Sequence, residues 1–310
     1  MSEFDVVVIG GGAAGLSAAL VLSRARRSVL VVDGGAPRNA PAAHMHGFLS
    51  RDGLPPADLL AIGRAEVTGY GATVVDGVVT GVAPSGSAGF GVTISTGDRV
   101  VARRLLIATG LRDELPDIPG LRERWGRDVL HCPYCHGYEV RDRRLAVIGR
   151  SPDAVRYAQI VRQWSDDVVL VAPTGIVSDT YRTQLAARGI AVREGDVTSL
   201  RIDAGRLTAV AIDGARDVRC DAVFVPPRPV PNNALLLALG CALDADGWVV
   251  VGPDGHAGVP GVWVAGNLAN PRAQVITAAG EGSAAAIAIN ADLVDDDVRL
   301  SRSPSLSRGS

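Results

Sequence analysis

The stretch Asp5-Val-Val-Val-Ile-Gly10-Gly-Gly12-Ala-Ala-Gly15, continued through Ser28-Val-Leu-Val-Val-Asp33, decides the fold. Residues 5–9 form a short apolar run that reads as a buried strand. Residues 16–26 carry a helical pattern, and residues 28–32 form a second strand ending on Asp33. The whole predicts a β-α-β unit with Gly10, Gly12 and Gly15 as a G-x-G-x-x-G at its strand-to-helix turn. There the backbone can approach a pyrophosphate, and the helix N-terminus can receive its charge. Asp33, 23 residues after Gly10, is placed to hydrogen-bond an adenosine ribose. A lone G-x-G-x-x-G carries little weight, but here strand, helix, second strand and acidic terminus agree.

Composition narrows the function classes. The 310 residues suggest about two domains, and 47% hydrophobic content is ample for buried cores. A net charge of -2 gives no electrostatic footprint for nucleic acid or an anionic membrane, so neither is expected as a partner. The chain has no lysine, which excludes a Schiff-base lysine and a P-loop lysine. Acidic residues precede the first apolar run, unlike a signal peptide, and its glycines fit a strand, turn and helix better than a membrane span. A cytoplasmic address is expected.

In the middle of the chain stands Cys132-Pro133-Tyr134-Cys135-His136. In a C-x-x-C one thiolate can attack a disulfide while the other resolves the mixed intermediate. Pro133 suits the first position of a helix and would put Cys132 at its cap, where unpaired N–H groups and the helix dipole stabilise a thiolate. The motif also fits half of a zinc site flanked by His131 and His136. Cys220 and Cys241 lie 21 residues apart without paired ligand spacing, so they read as small buried hydrophobes and no metal is expected. Beside a dinucleotide fingerprint, redox chemistry is the favoured reading.

Three further segments matter. An apolar strand closes on Thr109-Gly110. A second β-α-β is expected around residues 145–171, but its turn reads Gly149-Arg150-Ser151-Pro152-Asp153-Ala154. Ser151 replaces the middle glycine, Pro152 removes a backbone donor, and Val171-Ala-Pro-Thr-Gly175 offers no ribose or 2′-phosphate partner. The end of the chain, Gly261-Val-Trp-Val-Ala-Gly266-Asn267 and then Ala273-Gln274-Val275, feeds a long alanine-rich helix.

In order and spacing these motifs resemble the low-molecular-weight thioredoxin reductase superfamily over about residues 4–295. The resemblance implies an α/β fold of two Rossmann-like, FAD- and NAD(P)-binding domains. An FAD domain, 1–115 and 242–298, would be split by an inserted pyridine-nucleotide-like domain, 116–241, with a disordered tail at 299–310. It implies a homodimer, Cys135 as the thiol next to the flavin and Cys132 as the one that exchanges with substrate. His136 stands where an acidic residue is usual and can still shuttle protons. Thr109, Gly110, Gly266, Asn267, Gln274 and Val275 would join Gly10, Gly12, Gly15 and Asp33 around FAD. His44 and His46 fall on a loop that the family brings toward the flavin, where they could help stabilise a reduced flavin or accept a substrate proton, with a surface or packing role the favoured reading.

The form C-P-Y-C-H-G-Y-E looks more like the FAD-dependent dithiol oxidases that close disulfides in gliotoxin- and holomycin-type metabolites. The favoured expectation is an oxygen-using oxidase of a small-molecule dithiol, with NADPH a poor reductant. An NADPH-dependent reductase of thioredoxin or another protein disulfide is the runner-up. A flavin-binding redox sensor without turnover is the third reading.

Overall fold

The computed structural model describes residues 2–86 and 89–302. The chain divides into two units. Residues up to 40, 55–112 and 230 onward make the first; residues 41–54 and 113–229 make the second. In chain order the first unit begins with β1 Ser2–Ile9, α1 Ala13–Arg24, β2 Val29–Asp33, α2 Pro56–Gly69, β3 Thr73–Asp76, β4 Val79–Ser85, β5 Gly89–Ile94 and β6 Arg99–Ile107. Then β7 Leu111–Glu114 leads away.

The second unit holds α3 Leu121–Arg124, β8 Val129–Leu130, α4 Pro133–His136, β9 Leu145–Ile148, α5 Asp153–Val161, β10 Val168–Ala172, α6 Asp179–Ala187 and β11 Ala191–Glu194. It continues with β12 Val197–Asp203, β13 Arg206–Ile212, β14 Val218–Arg219 and β15 Ala222–Phe224. The chain returns along β16 Arg228–Pro231, which pairs with β7, and ends with α7 Ala234–Ala238, β17 Val262–Val264 and α8 Val275–Arg302.

In the first unit β3, β2, β1 and β6 lie side by side, all parallel. The long β6 pairs antiparallel with β5 over its first half and parallel with β17 over residues 105–107. Because the parallel strands are covered on both faces, their sequences are continuous apolar runs. Val7, Ile9, Leu30 and Val32 face one core, which also contains Phe90, Val92 and Leu236. Val6, Val8, Val29 and Val31 face the other, with Leu16, Ala18, Ala285 and Ile289 from α1 and α8. Leu236 and Cys241 are buried in the first of these cores, and this holds residues 230–241 in the first unit rather than in the expected insert.

Two devices fasten α8. A Cβ at Gly282 would run far inside contact of the Ala14 carbonyl, so this glycine allows α8 to lie directly against α1. At the far end Arg103 reaches Asp5 at 2.9 Å, Asp296 at 2.9 Å and Asp297 at 2.6 Å, while Arg104 bonds Asp292. The Arg103 and Arg299 partners hold the Asp296 carboxyl down to about 2. Residues 299–302, expected to begin a disordered tail, are instead the last turn of α8, where Arg299 pairs with Asp296 at 2.9 Å. Residues 303–310 of that expected tail lie outside the described residues.

The second unit repeats the parallel theme in a sheet ordered β11-β10-β9-β15-β8, with β12, β13 and β14 forming a separate antiparallel sheet. Among the described residues no helix is long and apolar enough to cross a membrane.

Gly282→Ala is expected to lower stability by about 1–3 kcal/mol, because the neighbour is backbone and the two helices must part. Denaturant unfolding of the variant checks it; an unchanged midpoint would remove this contact as the fastening of α8.

Candidate functional site

The first candidate site is the turn between β1 and α1. Gly10 has φ +114°, and a Cβ there would collide with the carbonyl of Ala108. A Cβ at Gly15 would collide with the Gly10 carbonyl, and one at Gly11 with the Asp33 carboxylate. Gly12 differs: its φ of -77° and ψ of -174° suit any residue, and nothing lies within 4 Å of its Cβ position. Its small size therefore serves no packing within the chain and leaves a cradle open at the helix start. There α1 has no side-chain cap and no acidic residue in its first turn. Such a terminus, with its positive dipole end, suits a pyrophosphate.

Around this turn the structure places Asp33 against Gly11, Thr109 against Gly10 and Gly266 against Ala14, with Gly110 and Asn267 next to them in the chain. Asp33 accepts from the Gly35 amide at 3.0 Å and pairs with Arg64 of α2 at 3.1 Å. Arg64 also pairs with Asp76 at the end of β3, so it orients Asp33 from below. Gly266, at φ +75°, tucks against Ala14, where a Cβ would come within 2.9 Å of that residue's own Cβ. Its amide donates to Glu281 at 3.0 Å. Asn267 donates to the carbonyls of Asn270 at 3.0 Å and Ala273 at 2.9 Å, so its amide shapes the turn that leads to Gln274 and Val275 at the start of α8. Thr109 donates to the Asn232 carbonyl at 2.9 Å, and Asn232 returns a bond to the Thr109 carbonyl at 2.8 Å. Asn232 also donates its amide to Gly110 at 3.1 Å, closing the link.

Arg64, Asn232 and Glu281 escaped sequence reasoning. No motif marks them, since each acts by bonding a motif residue from a distant segment.

The second candidate site is the Cys132–Cys135 disulfide, closed in the structure with its Cα atoms 5.2 Å apart. Cys132 caps α4, as Pro133 implies, but α4 is a single turn. A dipole summed over so few peptides is weak, so the expected dipole stabilisation of the sulfur is small beside one direct bond. The Cys135 amide donates to the Cys132 Sγ at 3.2 Å. A Cβ at Gly137 would meet the Pro133 carbonyl at 2.5 Å and the Trp164 ring at 2.7 Å, so glycine here lets the turn fold down on that indole. Trp164 also meets the Tyr134 ring edge-on at 5.4 Å, while Tyr134 and Tyr138 are each 65% exposed beside the disulfide. Tyr157 pins the entry by donating to the His131 carbonyl.

His136 follows the pair directly. Burial pushes its imidazole below the ordinary 6.5, an effect that Glu139 opposes and His46 reinforces. It is therefore neutral near pH 7, and free to accept a proton. His46 lies in the 41–54 loop, which clusters with the second unit, and its ring nitrogens face Asp52 at 3.2 Å and Glu139 at 3.4 Å. Among the described residues no group of three or more His, Cys, Asp or Glu is arranged to hold a metal. Cys220 and Cys241 are separate buried thiols; burial pushes Cys220 up to about 12 and Cys241 upward.

The second glycine turn has its own geometry. A Cβ at Gly149 would collide with Ala154, so this glycine serves strand-to-helix packing. Pro152 caps α5, Asp153 puts a carboxylate into its first turn, and the Ala154 amide is bonded to the Ser151 carbonyl at 3.0 Å.

Residues 4–282 match the family described as pyridine nucleotide-disulphide oxidoreductase. Thioredoxin reductase sirT of Leptosphaeria maculans is 30% identical over 96% of this chain and 96% of its own length. A probable thioredoxin reductase of Arthroderma benhamiae is 39% identical over 47% of this chain, an alignment spanning only 38% of that relative. Among solved structures, HlmI is 55% identical with a TM-score of 0.93, covering 96% of this chain and 95% of that one.

The amide bond to its sulfur should make Cys132 the more acidic thiol once the pair is reduced. Limiting iodoacetamide near neutral pH is expected to label Cys132 ahead of Cys135 in peptide mass spectra; the opposite order would reverse their roles.

Proposed function

The chain belongs to the pyridine nucleotide-disulphide oxidoreductase family, and from that premise we propose that it is an FAD-dependent dithiol oxidase working through Cys132 and Cys135. The observation that carries the reading is the bridged cysteine pair followed by a histidine that burial keeps neutral. A substrate thiol gives its proton to His136 and attacks Cys132, and the Cys132–Cys135 bond breaks with the electron pair leaving on Cys135. The second substrate thiol then loses its proton and attacks the substrate sulfur of the mixed disulfide, which frees Cys132 and closes the product disulfide.

The chemistry that FAD would supply when bound is transfer of the electron pair from the reduced cysteines to oxygen, which takes up two protons as hydrogen peroxide. Gly10, Gly12 and Gly15 would receive its pyrophosphate and Asp33 its ribose, with Thr109, Gly110, Gly266, Asn267, Gln274 and Val275 shaping the surrounding turns. The open cradle over Gly12 and the uncapped start of α1 support this fit. We take the working form to be a cytoplasmic homodimer, a reading supported by the family resemblance and by the unbridged Cys220 and Cys241.

The reading as an oxidase rather than an NADPH-dependent reductase rests on the second glycine turn. Asp153 would repel a phosphate, and Pro152 withholds a donor where the phosphate would seek one. Arg150 is the one cation in that turn.

Two outcomes are expected. Gly12→Leu should fold normally by circular dichroism yet lose its flavin, since the added side chain fills the cradle; retention of one FAD per chain would refute the cradle. In anaerobic stopped flow a small dithiol should bleach the flavin quickly, with oxygen restoring it, while NADPH acts slowly. Rapid, saturable bleaching by micromolar NADPH would favour the reductase instead.

A further inference from the structure

In the exchange each substrate thiol gives up a proton, and two protons are taken up again only when the electron pair reaches oxygen as hydrogen peroxide; the imidazole of His136 can hold only one of them at a time. A second carrier close by would free His136 between the two deprotonations, and the 41–54 loop supplies a ring for it. This loop closes on itself through Met45 to Leu54 at 3.0 Å and Gly53 to Met45 at 2.9 Å, around the buried Met45. It crosses Gly126 of the same unit so closely that a Cβ there would meet the Pro41 carbonyl at 2.9 Å. The fold therefore holds the loop within the unit that contains the cysteines.

His46 is the loop residue turned toward the cysteine segment. Its Nε2 lies 3.4 Å from Glu139, three residues after His136, and its Nδ1 lies 3.2 Å from Asp52. The Gly47 amide, at 2.8 Å, and His46 itself hold the Asp52 carboxyl below the usual carboxylate range, so Asp52 is ionised near neutral pH. The groups at this ring are thus Asp52 from its own loop and Glu139 from the cysteine segment, and His136 lies within electrostatic reach of both Glu139 and His46. A carboxylate group stands at each of the two ring nitrogens. Asp52 is 66% exposed on its side chain and Glu139 45%, and each opens the path to water.

We infer that His46, held between Asp52 and Glu139, is a positioning and proton-relay residue for the cysteine pair, carrying protons from His136 to solvent. In the first exchange step the substrate proton goes to His136. Transfer through Glu139 and His46 to Asp52 and water returns His136 to its neutral form before the second substrate thiol must be deprotonated. The electron pair is unaffected and stays with the cysteines. This inference rests on the thiol-exchange reading proposed above.

The test follows single-turnover reduction of the Cys132–Cys135 disulfide in the full flavoprotein by dithiothreitol, from acid to alkaline pH, counting protein thiols released after acid quench. His46→Gln and Glu139→Gln are expected to slow the exchange by at least about tenfold near neutral pH, less than the 10²–10⁴-fold typical of a direct general base. The defect should shrink at alkaline pH, where dithiothreitol is already ionised, and added imidazole should restore the His46→Gln rate. His44→Gln, on the same loop with its ring on the Gly53 carbonyl, should keep the wild-type profile. Wild-type rate and pH profile in both variants, or a uniform loss at every pH without imidazole rescue, would overturn the relay. If wild-type exchange is fast but no dithiol supports oxygen-dependent turnover, the oxidase reading fails, and the relay is judged on the pH profiles alone.

Discussion

The structure depends on how closely backbone can approach backbone at the start of α1. The carbonyl of Gly10 occupies the space that a Cβ at Gly15 would need, and the carbonyl of Ala108 the space that one at Gly10 would need. These two exclusions fix the angle at which α1 leaves β1 and bring the end of β6 beside the turn. Gly282 extends the same constraint to α8 by pressing it onto Ala14. Shifting any of these backbones by an ångström would cost packing on both faces of the sheet, where Val6, Val7 and Val8 are fully buried.

Within that frame the charged residues of the first unit orient rather than stabilise. Arg64 and Asp33 retain partial exposure, and pairs of that kind contribute roughly 0–1 kcal/mol. What Arg64 supplies is a fixed direction for the Asp33 carboxylate over Gly11. Glu281 does the same for the Gly266 turn and Asn232 for Thr109. The cradle is thus framed by motif residues whose rotamers are set by residues outside any motif.

This division explains how much could be read beforehand. The β-α-β unit was legible because local pattern and steric demand coincide in one continuous stretch, from Asp5 to Asp33. The cysteine motif was legible because a C-x-x-C forms its bond within one turn. By contrast α2, which delivers Arg64, buries only Pro56 and Val67 of its own side chains and announces itself weakly. The 41–54 loop was least legible: its two histidines carry no spacing signal, and its place in the second unit depends on a steric fit at Gly126 that lies far along the chain. The length of α4 was not legible, because Pro133 marks where a helix starts and nothing in the sequence marks how soon it stops.

The two glycine turns separate what a dinucleotide fingerprint does for the fold from what it does for a ligand. Gly10 and Gly15 are demanded by neighbouring backbone, whereas Gly12 is demanded by nothing in the chain. In the second unit the position demanded by packing, Gly149 against Ala154, keeps its glycine. The position without such a demand holds Ser151, which is exposed, and the following residue is Pro152. A turn can therefore preserve its strand-to-helix architecture while a glycine with no packing role is replaced. By this physical criterion, packing within the chain accounts for Gly149 but not for Gly12, and it is Gly12 that the proposed flavin site would explain.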